Sequence, residues 1–271
     1  MRLTCHLLKN SSEAMTKEEE VFQRHLLDLA DLAWKRSITV YTDFLNLNEQ
    51  NIFHDIQQSF SGVQTKTFGG YDCAERQMVA FIPDALSYDS SFDRENTFPI
   101  RCLKISPKNV RFSEELTHRD YLGALMNLGV ERSKLGDIAL CGTDALLFCE
   151  ANMAEYLEQE LTRVRHTAVS CREIDCKTLH YEPKLQEITG SVASVRLDAL
   201  ISLAFGMSRS SLAGLIESGK TFVNGRLTTS NGYHLKERDL ISVRGYGRFR
   251  YCGVRSESKK GRLFVRLEKY V

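Results

Sequence analysis

The pattern of hydrophobic and polar positions divides the chain into three segments, and the first predicts a small α+β unit over residues 1–90. The stretch Thr16-Lys-Glu-Glu19 is a capping box, which marks a helix start. Apolar residues then recur on one helical face as far as about Arg36, namely Phe22, Leu26, Leu29, Ala30 and Ala33. A second helix is predicted near residues 49–60. Strands are predicted at residues 64–68 and 77–82, separated by Gly69-Gly70 and stopped by Pro83.

The second segment, residues 91–182, predicts elements in the order β-α-β-β-α-β. The predicted strands are residues 100–105, 137–140, 145–149 and 167–174, and the predicted helices are 118–128, capped by Thr117, and 153–164. This order is typical of a ferredoxin-like layer of helices on an antiparallel sheet, a fold that RNA-recognition modules share with many unrelated proteins. The aromatic-rich sheet motifs of those modules are missing, although Arg101 and Lys104 predict a mildly basic surface. Residues 175–190, which include Pro183, are the predicted linker.

The third segment, residues 183–271, predicts two short helices followed by strands. Leu197, Leu200, Ile201 and Ala204 mark the core face of the first helix, which Gly206 ends, and Leu212, Leu215 and Ile216 mark that of the second. Ser208 is the predicted N-cap of the second helix, and Gly219 follows its end. A strand at residues 221–223 runs into the hairpin signal Asn224-Gly225. Further strands are predicted at residues 239–245 and 246–251.

The composition of the chain indicates its cellular compartment and excludes several classes of protein. The chain has 271 residues, 42% hydrophobic and 26% charged, and no apolar run approaches the roughly 20 residues of a membrane span. Its N-terminal stretch is too polar for a secretory signal, so we expect a cytoplasmic protein, and we expect a monomer. The eight cysteines lack metal-site spacing and predict scattered reduced thiols, with Cys171 and Cys176 the one pair worth considering as ligands. We expect no metal and no cofactor.

Charge is distributed unevenly along the chain, although the net charge is only +1. From residue 190 onward there are 15 Lys and Arg against 6 Asp and Glu, a balance of +9. The part before it has 21 against 29, a balance of −8. Such asymmetry indicates a polyanionic partner for the basic end, with a solvated basic face as the alternative.

The second helix of the third segment begins with Ser208-Arg209-Ser210, a sequence suited to phosphate. The first turn of a helix exposes backbone N–H groups and carries a partial positive charge, so it is an anion site. Alternatively, Ser208 is only a helix cap and Arg209 only a solvated side chain, which would explain either residue taken alone. Against this alternative, basic residues accumulate around them. Arg248 and Arg250 alternate with Phe249 and Tyr251, which predicts arginines on one face of a strand and rings on the other. The predicted RNA-binding residues are Arg196, Ser208, Arg209, Ser210, Lys220, Asn224, Arg226, Lys236, Arg244, Arg248 and Arg250.

Four motifs in this order resemble an S4 domain, a small RNA-binding module. They are Arg196-Leu-Asp, Ser208-Arg-Ser-x-x-x-x-Leu-Ile, Val223-Asn-Gly and Asp239-x-Ile-x-Val-Arg-Gly. The Gly-Arg-Phe sequence after the last of them and the stretch from His118 to Asp137 resemble the YlmH-type proteins encoded among bacterial cell-division genes. The resemblance implies an α+β protein with an N-terminal domain, an RRM-like middle domain and a C-terminal S4 domain. It also implies structured RNA, rRNA or tRNA, on the large ribosomal subunit as the ligand, in translation quality control.

Many S4 carriers are enzymes, so the presence or absence of catalytic motifs bears on the function. There is no Gly-rich nucleotide loop, phosphate loop or synthetase signature. His118-Arg-Asp120 is similar to a kinase catalytic loop, but a capped helix start explains it better. Asp72, Glu75 and Asp137 are isolated acids for which a solvated or capping role is expected. The sequence therefore predicts a non-enzymatic RNA-binding protein. The alternatives are an RNA-modifying enzyme, of the pseudouridine synthase or methyltransferase type, and a cell-division adaptor.

Overall fold

The computed structural model describes residues 16–87, 98–175, 185–259 and 261–270, and within them the protein is α+β. The α-helices are α1 (Lys17–Arg36), α2 (Leu47–Ile56), α3 (Asp84–Ser87), α4 (His118–Asn127), α5 (Ala154–Glu160), α6 (Leu197–Phe205) and α7 (Arg209–Glu217). The first strands are β1 (Val40–Tyr41), β2 (Val63–Phe68), β3 (Met78–Pro83), β4 (Ile100–Pro107), β5 (Leu135–Cys141), β6 (Asp144–Glu150), β7 (Arg163–Val164) and β8 (Thr167–Ile174). The remaining strands are β9 (Leu185–Val192), β10 (Thr221–Val223), β11 (Arg226–Leu227), β12 (Leu240–Val243), β13 (Gly247–Glu257) and β14 (Leu263–Tyr270).

The N-terminal unit, residues 16–87, packs α1 and α2 on a sheet of order β1-β3-β2. The predicted capping box of Thr16 is confirmed, and Asn46 caps α2 in the same way. Leu26 and Phe53 from the helices meet Phe81 in a buried core. The sequence analysis missed β1, because two residues are too few to give an alternating pattern.

The middle unit, residues 98–175, has the predicted β-α-β-β-α-β order with one additional short strand, β7, before the last strand, and its sheet order is β5-β6-β4-β8-β7. The start of α4 at His118 is confirmed as a helix start, since the Thr117 backbone N–H donates to Asp120 at 2.8 Å. On one face of the sheet, Leu103 packs in a buried cluster with Leu125 of α4 and Leu157 of α5.

The other face of this sheet is covered by the N-terminal unit. Cys102 and Phe148 of the middle sheet share a buried cluster with Met78 and Ile82 of β3. RNA-recognition modules stack bases on the sheet face that carries no helices. In this protein that face is buried between two units.

The predicted helix over residues 153–164 is wrong in its last four residues. The helix α5 ends at Glu160, and Arg163–Val164 instead form β7, paired with Thr167–Ala168. The turn between them places Arg165 at a φ of 51°. Burial of the Val164 side chain in the core of the middle unit favours this short hairpin over another helical turn.

The C-terminal unit, residues 185–270, packs α6 and α7 on a sheet of order β11-β10-β12-β13-β14-β9. Its core contains Leu200, Ile216, Phe249 and Val265, all fully buried. The predicted end of α6 is confirmed by Gly206, which adopts a φ of 65°. The two-residue turn is also confirmed, since Asn224 and Gly225 both have positive φ and join Val223 to Arg226.

The predicted linker over residues 175–190 is wrong from residue 185. Residues 185–192 form β9 and pair with β14 along its whole length, from Leu185 opposite Tyr270 to Val192 opposite Leu263. Ile188 and Val192 point toward the core of the C-terminal unit. The predicted domain boundaries, at residues 90/91 and 182/183, lie outside the described residues and stay predictions. No helix of the described ranges is long and apolar enough to cross a bilayer.

Candidate nucleic-acid interface

The start of α7, which we call its mouth, lies where the sequence predicts it. Ser208 precedes the helix in extended conformation, and its Oγ accepts from the Ser211 backbone N–H at 3.4 Å and lies 2.8 Å from the Ser211 Oγ. The side chains of Arg209 and Ser210 lie outside the described part of the chain, so their anion contacts stay predictions. The predicted N-cap role of Ser208 is confirmed.

Two of the predicted cations lie side by side beyond the other end of α7. The Arg244 backbone N–H donates to the Lys220 carbonyl at 2.9 Å, and both residues are exposed. The Arg244 guanidinium carbon lies 5.3 Å from the centre of the Phe222 ring. An arginine held over a ring keeps its outer N–H groups available to an anion.

Sequence analysis did not single out the aromatic residues next to these cations. The Tyr246 ring is 48% exposed and contacts Phe205, at 6.1 Å between ring centres. The Lys269 ammonium lies 4.9 Å from the centre of the Phe205 ring. We call Phe205, Lys220, Arg244, Tyr246 and Lys269 the Tyr246 surface. Ser208 follows Phe205 by three positions, so Phe205 is the member of this surface nearest in sequence to the start of α7.

Arg248 and Arg250 occupy the predicted face of β13, opposite the buried Phe249 and Tyr251, but that face meets the N-terminal unit. Arg248 donates from Nη1 to the Cys73 carbonyl at 2.7 Å and from Nη2 to the Tyr71 hydroxyl at 3.1 Å. Arg250 donates to the Cys73 Sγ at 2.7 Å. Their RNA contacts stay predictions, since both guanidinium groups have protein partners.

Asp137 of β5, in the middle unit, contacts the same segment of the N-terminal unit. Its Oδ2 accepts from the Tyr71 hydroxyl and from the Glu75 backbone N–H, both at 2.7 Å, and its Oδ1 accepts from the Arg76 backbone N–H at 3.1 Å. The Arg248 Nη1 lies 3.9 Å from Oδ2. The Asp137 side chain is only 12% exposed.

This contact corrects the expectation that Glu75 and Asp137 are solvated or capping acids. We call Tyr71, Cys73, Asp137, Arg248 and Arg250 the joint, because they connect all three units. Each partner is distant in sequence, and a lone aspartate gives no local signal of such partners.

Burial changes the acid-base properties of the joint. Burial, and then the Asp137 charge, raise the pKa of Tyr71 above its ordinary value. Burial acts to lower the pKa of Arg248, but Tyr71 and Asp137 outweigh it and raise that pKa. The pKa of Glu75 is raised by burial first and by Asp137 second, although Arg248 acts to lower it. The joint therefore holds Arg248 charged and Tyr71 neutral.

The β10–β11 hairpin rests on α2 of the N-terminal unit. The Leu227 backbone N–H donates to the Asn51 Oδ1 at 2.7 Å. Asn224 is held within its own unit, since its Nδ2 donates to Asp239 at 2.8 Å and its Oδ1 accepts from the Leu240 N–H at 2.9 Å. The exposed Arg226 lies near His54, whose pKa is lowered by burial and then by Arg226.

The other two predicted residues have partners that do not belong to the Tyr246 surface. Arg196 forms a two-pronged ion pair with Asp198, at 3.1 and 3.0 Å. Lys236 is exposed, and its backbone N–H donates to Asp239 at 2.7 Å.

The mildly basic surface expected from Arg101 and Lys104 is not formed. These residues point to opposite faces of β4, and each binds an acid, Arg101 with Glu173 at 3.1 Å and Lys104 with Asp144 at 2.9 Å. Of the cysteine pair considered for metal, Cys176 lies outside the described residues, and burial raises the pKa of the Cys171 thiol to about 12. The described ranges contain no group of three His, Cys, Asp or Glu that could hold a metal.

Comparison with known proteins covers most of the chain. Residues 94–178 match a family model described as "Putative RNA-binding domain in YlmH", and residues 17–86 match one described as "YlmH, N-terminal". The chain is 31% identical, over 256 residues, to the ribosome-associated protein quality control protein P2 of Bacillus subtilis (strain 168), covering 91% of this chain and 95% of that protein. It is also similar to the solved structure of the cell division protein ylmH from Streptococcus pneumoniae, with 20% identity and a TM-score of 0.48, over 62% of this chain and 98% of that one.

Proposed function

The chain belongs to the YlmH family, and from this premise we propose that it binds structured RNA, rRNA or tRNA, on the large ribosomal subunit in translation quality control. The name of the Bacillus subtilis relative and the description of the model that matches residues 94–178 support RNA binding at the ribosome. Such work belongs in the cytoplasm.

The main RNA contact is the C-terminal unit, in the manner of an S4 domain. The observation that carries this assignment is the pair of exposed cations Lys220 and Arg244, side by side at one end of α7 in the part of the chain with a balance of +9. Phosphate neutralisation by such cations releases counterions and supplies most of the affinity for RNA.

The middle unit contributes less, although its family model carries the RNA-binding description. The sheet face that an RNA-recognition module uses is buried here against Met78 and Ile82. Arg101 and Lys104 of its central strand are neutralised by acids. Any RNA contact of this unit comes from its helices and loops.

The protein acts as a binder and not as a catalyst. Asp137 is the best-placed acid for RNA chemistry, but two backbone N–H groups and the Tyr71 hydroxyl already occupy its oxygens. A general base needs a free oxygen within reach of its substrate. Incubation of the protein with total rRNA or tRNA, with and without a methyl donor, is expected to leave the nucleosides unchanged by mass spectrometry. A modified base that disappears in Asp137→Asn would favour an enzyme instead.

The binding itself is tested with the full chain and rRNA in filter-binding titrations between about 50 and 200 mM salt. We expect the logarithm of the binding constant to fall steeply with the logarithm of the salt concentration. Arg244→Glu is expected to weaken binding and to reduce that slope by about one. Binding that ignores salt over this range contradicts the proposal.

Arg209→Glu tests the mouth of α7 in the same assay. A negative charge in the first turn interacts favourably with the helix dipole and stabilises the helix by about 0.3–1 kcal/mol. The melting temperature is therefore expected to stay nearly unchanged while the affinity for RNA falls. Arg163→Glu is the matched control, because Arg163 is exposed in β7 of the middle unit. Loss of binding together with unfolding in Arg209→Glu would mean that Arg209 is structural.

A further inference from the structure

The turn between β12 and β13 presents an aromatic ring that the turn itself does not require. Arg244, Gly245 and Tyr246 connect Val243 to Gly247, and the Tyr246 backbone N–H donates to the Val243 carbonyl at 3.0 Å. Gly245 and Gly247, with φ of 84° and 107°, supply the unusual backbone conformations of this turn. A small polar residue would serve equally well at position 246, yet the chain places a half-exposed tyrosine there.

The Tyr246 ring is supported from the core of the C-terminal unit. It contacts Phe205, with ring planes inclined at 59°, and Phe205 in turn meets Phe249 edge-on at 5.8 Å. Phe249 is fully buried. A ring fixed in this way loses little further freedom when a ligand stacks on it, which favours binding.

Two cations belong to the surroundings of this ring. Arg244 precedes it in the same turn, and the Lys269 ammonium lies over Phe205, the ring that supports Tyr246. Single-stranded nucleic acids are bound by this combination, in which aromatic faces stack on bases while neighbouring cations hold the backbone.

We propose that Tyr246 is a stacking platform for one unpaired base of the bound RNA, with Arg244 and Lys269 holding the adjacent phosphates. This inference rests on the proposed function and adds the feature of the RNA that is recognised. The bases of a continuous A-form helix are stacked on one another, so the base must come from a bulge, a loop or an end.

Three RNA hairpins with the same stem test the proposal, each closed by the same loop of abasic nucleotides so that the bulge is the only source of an unpaired base. The first is fully paired, the second has one bulged adenosine, and the third has an abasic nucleotide at the bulge, which keeps the phosphates and the bend but removes the base. We expect the full-length protein to bind the adenosine bulge about ten-fold more tightly than the abasic bulge, in line with one stacked base.

The variants are Tyr246→Leu, which keeps apolar contact with Phe205 but has no aromatic face, and Tyr246→Trp, which keeps that face. Phe264→Leu is the control, because Phe264 is exposed on β14 five residues before Lys269, roughly 17 Å away. Tyr246→Leu is expected to bind both bulged hairpins equally, while Tyr246→Trp and Phe264→Leu keep the preference. Melting temperatures establish that each variant is folded.

The outcomes distinguish a failure of the stacking role of Tyr246 from a failure of the proposed RNA-binding function. Salt-dependent binding with equal affinity for the adenosine and abasic bulges would overturn the stacking role and leave the RNA-binding function standing. A preference that survives in Tyr246→Leu would also overturn it. Absence of salt-dependent binding to all three hairpins and to rRNA would overturn the proposed function, and the platform with it.

Discussion

At the scale of single residues, Glu75 shows how burial beside the joint changes the pKa of a carboxyl group. Its raised pKa means that the folded state holds the proton more tightly than the unfolded chain does. The group therefore favours folding below the ordinary carboxyl pKa of about 4.3, and this contribution is lost as the pH rises through the raised, folded-state pKa.

The resulting prediction is that Glu75→Gln raises the melting temperature at pH 7.5 relative to the wild type. A neutral amide removes the ionised group that burial and Asp137 disfavour, so the difference is expected to shrink as the pH falls toward 4.5. Thermal melts at several pH values measure it, and Glu115→Gln, at an exposed residue, is the control. A lower melting temperature for Glu75→Gln at pH 7.5, with a difference that shrinks as the pH falls, would mean that the attraction to Arg248 dominates instead.

Roles that depend only on neighbouring positions could be predicted from the sequence. Contacts between residues far apart in the chain could not. Thr16, Ser208 and the Asn224-Gly225 turn act within four positions of themselves, so their roles are readable in the chain. Asp137 has its partners at Tyr71, Glu75, Arg76 and Arg248. Nothing in the residues around Asp137 specifies those partners, because only the packing of the sheets brings them together.

At the scale of elements, the contact between the N-terminal unit and the middle sheet depends on a close approach at Gly70. This residue has a φ of 99°, and a Cβ added to it would lie 2.3 Å from the Phe148 ring. The neighbouring Tyr71 ring stacks on Phe148 with centres 5.0 Å apart. The backbone must therefore pass directly over a buried aromatic ring.

We predict that Gly70→Ala destabilises the protein by about 2–4 kcal/mol, because overpacking adds to the strain of a positive φ. Gly123→Ala is the matched control. Gly123 lies in α4 with no atom within 4 Å of an added Cβ, so alanine there is expected to stabilise by about 0.5–1 kcal/mol. Urea denaturation measures both. Equal effects of the two substitutions would show that the contact with Phe148 yields without strain.

The strand β9 was not predicted, because the turn signals around Pro183 indicated a linker and the strand itself is mostly exposed. Residues 185–192 have polar side chains at four of their eight positions, and their pairing with β14 across the sheet is what fixes them as a strand. A helix or hairpin forms its backbone hydrogen bonds with nearby residues, so the local sequence predicts it. An edge strand instead depends on a partner strand far along the chain.

A second element-scale prediction follows from this pairing. A fragment of residues 183–271 is expected to melt at a higher temperature than one of residues 190–271. The shorter fragment removes Leu185–Thr189 and leaves most of β14 without its outer partner, and it also loses the packing of Ile188. Circular dichroism melts compare the two fragments. Identical melting temperatures would mean that β9 adds nothing to the stability of this unit.

At the scale of the whole molecule, the three units form one connected body. The middle sheet is packed on both faces, the β10–β11 hairpin rests on α2, and the joint ties β13 to both other units. The Tyr246 surface is therefore held in a fixed direction relative to the acidic front part of the chain. The charge pattern of the sequence predicts a basic C-terminal unit, but nothing in the sequence indicates that Arg248 and Arg250 connect the units.

The final prediction concerns the energy of that connection. Arg248, 16% exposed, faces Asp137 and also lies 4.7 Å from the centre of the Tyr270 ring. Arg248→Met keeps much of the apolar stem but leaves the Asp137 charge without its cation. We expect a loss of about 2–4 kcal/mol, somewhat below the full cost of breaking a buried ion pair, because Asp137 keeps three other hydrogen bonds.

A double-mutant cycle with Asp137→Asn isolates the pair. Asp137→Asn alone leaves Arg248 charged and poorly compensated, while the double variant removes both charges, so its loss is expected to be smaller than the sum of the single losses by about 0.5–3 kcal/mol. Urea denaturation gives these free energies, and hydrogen exchange at residues 71–76 reports whether the joint itself opens. Strict additivity, or unchanged exchange there in Arg248→Met, would mean that the hairpin on α2 holds the units together without Arg248.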